Sequence, residues 1–338
     1  MTADAAQLPR APWVAVLMRR LLIALVLPLT LAAQTPNAAP YEAAARYLES
    51  CNGHALLVYE RGRLVFERYF HGHTAETPHL LASGTKSFVG VLAVTAQEDG
   101  LLRLDEKLSD TLTEWRSDPA KKDLTIRQLL SLSSGIAGGG IGQVPSYREA
   151  VATAHVTAPP GQRFLYGPIP YQVFGELLRR KLAAAGRARD PLDYLQQRLF
   201  TPIGLRYDRW REDGDGLPHL PSGAYLTARE WAKFGLLVLN QGQWQGKPVV
   251  KAVSLAECFK SSPANPNYGL TFWKAKPDDP EPDLVMAAGL GKQKLFMLPS
   301  RQLLIVQFAD AERRYQERRF LDLALGRTTP VLKGGRDN

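Results

Sequence analysis

The stretch Leu80-Leu81-Ala82-Ser83-Gly84-Thr85-Lys86-Ser87-Phe88-Val89-Gly90 sets a serine and a lysine three residues apart, at the start of an apolar, helix-like run. On a helix, positions i and i+3 share a face about one turn apart. A lysine amine can then lie beside a serine hydroxyl. Burial disfavours the charged amine, so it can act as a base near neutral pH and take the hydroxyl proton. This is one way to activate a serine nucleophile. The pattern is short, and roughly one Ser-x-x-Lys is expected by chance in a chain of this length. The sequence holds a single copy. Alone, the stretch reads as an ordinary helix start with Ser83 as N-cap. Phe88, Val91, Leu92 and Thr95 recur at helical spacing, which predicts a helix to about Gly100 with one buried face.

Working outward, the 338 residues are 45% hydrophobic and 22% charged, enough for a substantial core and unlike a disordered chain. The net charge of +9 is spread along the chain with no nucleic-acid motif, so the basic balance reads as a solvated surface. Arg19-Arg20 followed by the apolar residues 21–33 reads as a secretory signal with cleavage near Ala33, or as an uncleaved anchor. Met18 stands just before the two arginines, which makes residues 1–17 a candidate upstream extension. Export to the periplasm or the exterior is the resulting expectation. Cys51 and Cys258 are open to either pairing or two buried thiols.

Residues 41–50 read as a helix, and 54–60 with 63–70 as a hairpin around Arg61-Gly62. The histidines His71, His73 and His79 follow in a loop, with no cysteine or carboxylate at ligand spacing, so no metal and no cofactor is assigned. Residues 101–260 read as mostly helix and loop, and Gly138-Gly139-Gly140 as a plain loop. Helices are expected over 124–132, 171–185, 191–200 and 227–240, the last capped by Thr227 with Glu230 three residues on. Strands return at 268–274, 294–298 and 303–308, and a helix at about 311–325. Strands at both ends predict an α+β fold: one antiparallel sheet built from the N- and C-terminal segments and flanked by helices, with an inserted, mainly helical lobe. The expected units are a signal region 1–33, a single catalytic domain 41–326 with its lobe at about 101–260, and a tail 327–338.

Several segments in order give the chain a family likeness. Leu124-Thr125-Ile126-Arg127-Gln128-Leu129-Leu130 precedes Ser133-Ser134-Gly135-Ile136. Phe164-Leu165-Tyr166 precedes Phe174-Gly175. Leu199-Phe200-Thr201-Pro202-Ile203-Gly204-Leu205, Ser222-Gly223-Ala224-Tyr225-Leu226-Thr227-Ala228-Arg229 with Phe234-Gly235, and Gly289-Leu290-Gly291-Lys292-Gln293 follow. With the Ser83–Lys86 pair, these make residues 45–325 resemble the serine β-lactamase and penicillin-binding hydrolases, in particular the class C-like branch. That branch also holds D-alanyl-D-alanine peptidases, esterases and nylon-oligomer hydrolases.

The resemblance implies a β-lactamase/transpeptidase-like fold and a serine hydrolase working through an acyl-enzyme. Ser83 would be the nucleophile, Lys86 its base and Tyr166 a second proton carrier. The backbone N–H groups of Ser83 and Leu290 would hold the oxyanion, and Gly289, Gly291 and Lys292 would line the substrate. Its partner would be a small ester, amide or peptide-like molecule, with association with the cell envelope allowed. Two departures bear on substrate. The family's tyrosine motif ends in asparagine where Pro168 stands, and its third motif carries Lys or His, Thr, Gly where Ala287-Ala288-Gly289 stands. Both remove groups that hold a β-lactam or D-Ala-D-Ala substrate, so the expectation shifts toward esters and amides. The same departures motivate an alternative, a non-catalytic envelope-binding protein that keeps the fold. No Gly-x-Ser-x-Gly elbow is present, so an α/β-hydrolase nucleophile has no candidate.

Overall fold

Alternation along two strands shows how the layers form. In the strand Gly53–Glu60 (β1), Ala55 and Leu57 face one apolar cluster while Leu56 and Val58 face another. In Leu303–Ala309, Leu304, Val306 and Phe308 join the first cluster, and Leu303, Ile305 and Ala309 the second. A strand's period of two sends neighbouring side chains to opposite faces, so a sheet apolar at every position must be covered on both. Both faces are indeed covered. The computed structural model describes residues 38–311 and 314–327. The expected signal region at 1–33 and most of the tail lie outside them.

The other strands are Arg63–Tyr69 (β2), His79–Leu80 (β3), Arg209–Trp210 (β4), Ala224–Leu226 (β5), the small pair Gln243–Trp244 (β6) and Lys247–Pro248 (β7), Trp273–Lys274 (β8), Val285–Gly289 (β9) and Gln293–Leu298 (β10), with Leu303–Ala309 as β11. One antiparallel sheet runs β2-β1-β11-β10-β9-β8, so the first and last strands of the domain are neighbours. The register sets Leu57 opposite Val306 and Leu295 opposite Val306 from the other side. The antiparallel sheet shared by both termini and flanked by helices is the architecture expected from the sequence.

The outer face is closed by helix α1 (Ala39–Ser50) and the helix Glu317–Ala324, whose Phe320 stacks near Phe296 at 5.9 Å. The inner face carries the helix Ala228–Leu239 and helix α2 (Lys86–Glu98). Thr227 caps the former by accepting a hydrogen bond from the Glu230 N–H at 3.3 Å. Helix α2 is buried all round from Lys86 to Ala96, not on one face as its spacing suggested. Phe88 lies edge-on to Phe234 at 4.5 Å and to Phe200 at 5.1 Å, so its helix is packed from several sides. A helix apolar all round belongs in a core.

Two element expectations need correction. Residues 268–274 are extended only at β8. Gly269 N–H closes onto Phe272 O at 2.9 Å and Thr271 is left-handed at φ 72°, so the preceding segment is a turn. That turn is pressed onto α2: a Cβ at Gly90 would lie 2.5 Å from Leu270 O. The last helix begins at Glu317 because Gln316 is extended (φ −110°, ψ 112°) and Tyr315 turns inward to donate to Gln307 at 3.0 Å. Both cysteines are free and buried, Cys51 in the outer layer and Cys258 in the inner one.

The end of β9 meets the turn that opens α2. A Cβ at Gly289 would stand 2.0 Å from Leu81 O, well inside contact distance. Gly289→Ala therefore has to push the Ser83 turn and β9 apart. We expect a loss of about 1–3 kcal/mol in urea unfolding, together with slower acylation at Ser83. Wild-type values of both would show that this approach does not set the turn.

Candidate active site

Ser83 lies in a single tight turn, Ala82–Thr85, that runs directly into α2. Ala82 is left-handed at φ 46°, a conformation costing a non-glycine residue about 1–2 kcal/mol. Neighbours hold it there. Leu81 N–H donates to Ala224 O at 2.9 Å, Gly84 N–H to Leu81 O at 2.9 Å, and Ala224 N–H to Thr85 Oγ1 at 3.2 Å. Trp231 fills the space under Gly84, where an added Cβ would lie 2.9 Å from its ring. The turn is thus stitched to β5 and wedged against the inner core. Ser83 makes no cap, and its side chain is half-buried at the surface of the site.

Lys86 is the first residue of α2 and only 3% exposed. Its Nζ is 3.0 Å from Ser83 Oγ and donates to Pro221 O at 2.9 Å. No carboxylate bonds to it among the described residues, and burial brings its pKa down to about 7. The rings of Tyr166 and Tyr171, each with its centroid 5.1 Å from Nζ, present faces that favour the ammonium and oppose that penalty. Near neutral pH, then, a neutral amine is available. With one hydrogen on Pro221 O, its lone pair can accept the Ser83 proton.

Tyr166 stands across the serine. Burial pushes its phenol up, and its interaction with Ser83 pulls the other way. It is therefore a protonated phenol at neutral pH, able to give a proton. Behind it lies an aromatic wall: Trp273 at 5.8 Å, Tyr268 at 6.4 Å and Phe164 at 6.1 Å between centroids. Tyr171 and Tyr268, both fully buried, share a hydrogen bond of 2.8 Å between their hydroxyls.

The Gly138-Gly139-Gly140 run is part of this construction rather than a plain loop. Gly138 O accepts from the Ile169 N–H at 3.0 Å, and a Cβ at Gly138 would lie 2.3 Å from Tyr166 O. The loop is a clamp on the tyrosine segment that only glycine fits. Pro168 is buried and opens the helix Ile169–Ala185, so the place of the motif's amide is filled by a ring without a donor.

On the opposite side, Ala287 and Ala288 precede Gly289 in β9, and neither carries a polar side chain. Leu290 and Gly291 form the turn into β10, closed by Lys292 N–H on Gly289 O at 3.2 Å. Gly291 is left-handed at φ 80°. Gln293 Nε2 donates to Leu290 O at 3.2 Å and Gln293 Oε1 accepts from the Ala309 N–H, which fixes the turn to β11. The Leu290 side chain is 76% exposed. Lys292 is directed elsewhere: its Nζ lies 5.7 Å from the Tyr315 ring centroid, and Tyr315 belongs to the outer layer.

The structure thus brings Ser83, Lys86 and Tyr166 together and sets the Gly289–Gly291 turn beside the serine's own turn, while Lys292 points away. Sequence reasoning missed Pro221, Tyr171, Tyr268 and Trp273, none of which carries a local signal, and it read the glycine run near the site only as a plain loop.

The loop histidines are split. His71 Nε2 lies 3.3 Å from Glu49 O, whereas His73 and His79 meet His54 from β1. Burial and the two neighbouring imidazoles push His54 down to about 4.

A sequence model of the family described as Beta-lactamase matches residues 42–327. Lovastatin esterase of Penicillium rubens is 26% identical over 167 residues, 39% of this chain and 40% of its own length. An uncharacterized protein of Alkalihalophilus pseudofirmus is 26% identical over 233 residues, 63% of this chain and 65% of its own length. The chain therefore spans less than two thirds of these curated relatives. A solved structure from Bacillus anthracis, titled as a candidate 6-aminohexanoate-dimer hydrolase, superposes with a TM-score of 0.71 at 21% identity, covering 83% of this chain and 80% of that one. At that identity the likeness speaks to the fold.

A base with a pKa near 7 leaves a signature. Below that value Lys86 holds a proton and cannot take one from Ser83. Second-order acylation of Ser83 by a fluorophosphonate probe should fall about tenfold per pH unit below 7 and level off above it. A flat profile between pH 5 and 8 on the folded protein would remove Lys86 from the role of base.

Proposed function

Because the chain belongs to the β-lactamase family, we propose that it is a serine hydrolase that cleaves small, largely apolar esters, and amides of similar shape, through an acyl-enzyme. The observation that carries this reading is the 3.0 Å separation of Lys86 Nζ and Ser83 Oγ, with no carboxylate bonded to the amine among the described residues. Neutral Lys86 takes the Ser83 proton as Oγ attacks the substrate carbonyl. The resulting oxyanion accepts from the Ser83 N–H, which lies in a first turn where backbone donors lack intrahelical acceptors, and from the Leu290 N–H. Collapse expels the alcohol or amine, which takes a proton from Tyr166, with Lys86 restoring the phenol's proton. Water then attacks the acyl group by the reverse path and frees the acid. One oxyanion donor of this kind is worth about 3 kcal/mol of transition-state stabilisation.

The substrate class follows from what surrounds the serine. Ala287-Ala288 offers no cation and Pro168 no amide, so a substrate carboxylate or a β-lactam amide lacks its usual partners. In their place are Phe164, Trp273 and the exposed side chain of Leu290. Apolar acyl or alcohol groups match such walls. The esterase named among the relatives agrees with this direction. Export is part of the proposal, carried by Arg19-Arg20 and the apolar residues 21–33. N-terminal sequencing of the protein from the envelope or medium fraction checks it, a cytoplasmic chain with Met1 intact being the contrary result.

Intact mass after incubation with p-nitrophenyl butyrate, a chromogenic cephalosporin and a D-Ala-D-Ala peptide tests the reading. The ester should give an acyl adduct that Ser83→Ala abolishes, with turnover at least about tenfold faster on the ester than on the other two. No adduct with any of them would favour a binding protein that keeps the fold, and an adduct persisting in the alanine variant would displace Ser83.

A further inference from the structure

Three imidazoles from separate parts of the chain converge beside the start of β1, outside the Ser83–Lys86–Tyr166 group. His54 comes from β1, His73 from the loop after β2 and His79 from β3. One ring nitrogen from each lies within 4.8 Å of the others. His54 is only 7% exposed, and its Nδ1 has no hydrogen-bond partner among the described residues. An unpaired buried ring nitrogen is costly, and core histidines normally find a partner. Asp310, just past β11, sets Oδ1 3.8 Å from His79 Nε2, close enough to reach an ion held by the rings.

We propose that His54, His73 and His79 form a binding site for one divalent transition-metal ion such as Zn²⁺, with Asp310 as its fourth ligand. Neutral imidazoles suit Zn²⁺, Co²⁺, Ni²⁺ and Cu²⁺, whereas Mg²⁺ and Ca²⁺ call for oxygen ligands. Tetrahedral zinc, with Zn–N near 2.0–2.1 Å, sets its ligand nitrogens about 3.4 Å apart. The cluster must therefore tighten. His54 and His73 are stacked face to face, 4.0 Å between centroids and 8° from parallel, and two stacked rings cannot both aim a lone pair at one ion. His73 is the ring able to turn, being half-exposed on a loop. The other two are placed: His54 is buried on β1, and His79 stacks on Phe308 at 5.1 Å. An ion would occupy the orphaned Nδ1 and tie β1, the 70–79 loop and the end of β11 together. The role is structural, and it stands or falls separately from the serine reading.

The full chain, stripped with a chelator and dialysed, is titrated with Co²⁺ and followed by its visible d–d absorption, and with Zn²⁺ by calorimetry. One ion per chain is expected, with the intense bands of a four-coordinate site. His73→Ala should weaken binding by well over about tenfold, the least that even outer partners of a metal site contribute. His71→Ala, which alters a neighbouring histidine outside the cluster, should leave binding unchanged. Zn²⁺ should raise the thermal midpoint of the wild type and not that of His73→Ala. Absence of saturable one-to-one binding overturns the site, as does equal weakening by His71→Ala and His73→Ala, which would mark loose surface chelation. Because His73 is half-exposed, its alanine variant should fold, and a wild-type melting curve without metal checks this.

Discussion

An amine buried with no carboxylate bonded to it among the described residues is the constraint to which the rest of the molecule answers. Taking a full positive charge into such a place costs several kcal/mol, and the amine relieves it by giving up its proton. That release leaves Lys86 the free lone pair that the proposed base needs. It works only if the surroundings stay dry and the amine still finds hydrogen-bond partners. Pro221 O and Ser83 Oγ are those partners, at 2.9 and 3.0 Å. Dryness requires α2 to be enclosed on every side, by the sheet and the helix Ala228–Leu239 on one flank and by the aromatic residues of the intervening chain on others. The two-faced sheet is therefore a precondition of the chemistry as well as of stability. Without the outer layer of α1 and Glu317–Ala324, strands apolar on both sides would expose one face to water.

Glycines mark where backbones from remote parts of the chain touch. Gly289 lets β9 reach the turn carrying Ser83, and Gly138 lets its loop clamp the segment carrying Tyr166. Each brings a peptide within a distance that any side chain would forbid. The positions of Ser83, Tyr166 and the Leu290 N–H are consequently fixed by backbone contacts rather than by flexible side chains. Such support is what holds reacting groups to the sub-ångström tolerance that acyl transfer needs.

The serine stretch, the hairpin β1–β2, the strands β10 and β11 and the capped helix after Thr227 were all legible in the sequence, because each announces itself within about ten residues by period, turn or cap. The convergence of Ser83, Lys86 and Tyr166 was legible only through family likeness, since no local pattern places residue 166 opposite residue 83. What stayed hidden is non-local. Pro221 lies 135 residues from the lysine it accepts from, and the Tyr171–Tyr268 hydroxyl pair spans 97. The 268–274 segment looked extended because its aromatic composition favours strands, but packing against Gly90 bends it into a turn. The meeting of the histidines was hidden for the same reason, since the loop shows His73 and His79 while the third ring, His54, sits on β1.

The two clusters share support without sharing chemistry. His79 stacks on Phe308 at 5.1 Å, Phe308 on Trp231 at 5.7 Å, and Trp231 closes the space beneath Gly84, next to the nucleophile. His79 also begins β3, only four residues before Ser83, and pairs with Leu226 of β5. Whatever fixes the His79 ring thus fixes one end of the short segment whose other end is the left-handed Ala82. A strained turn persists only where its surroundings over-determine it. Here β5 bonds it from one side, β9 abuts it from another and the aromatic stack wedges it from below. Tightening the histidine cluster would stiffen that frame, and it would leave the lowered pKa of Lys86 in place, because burial sets it and the amine's own partners are Ser83 and Pro221.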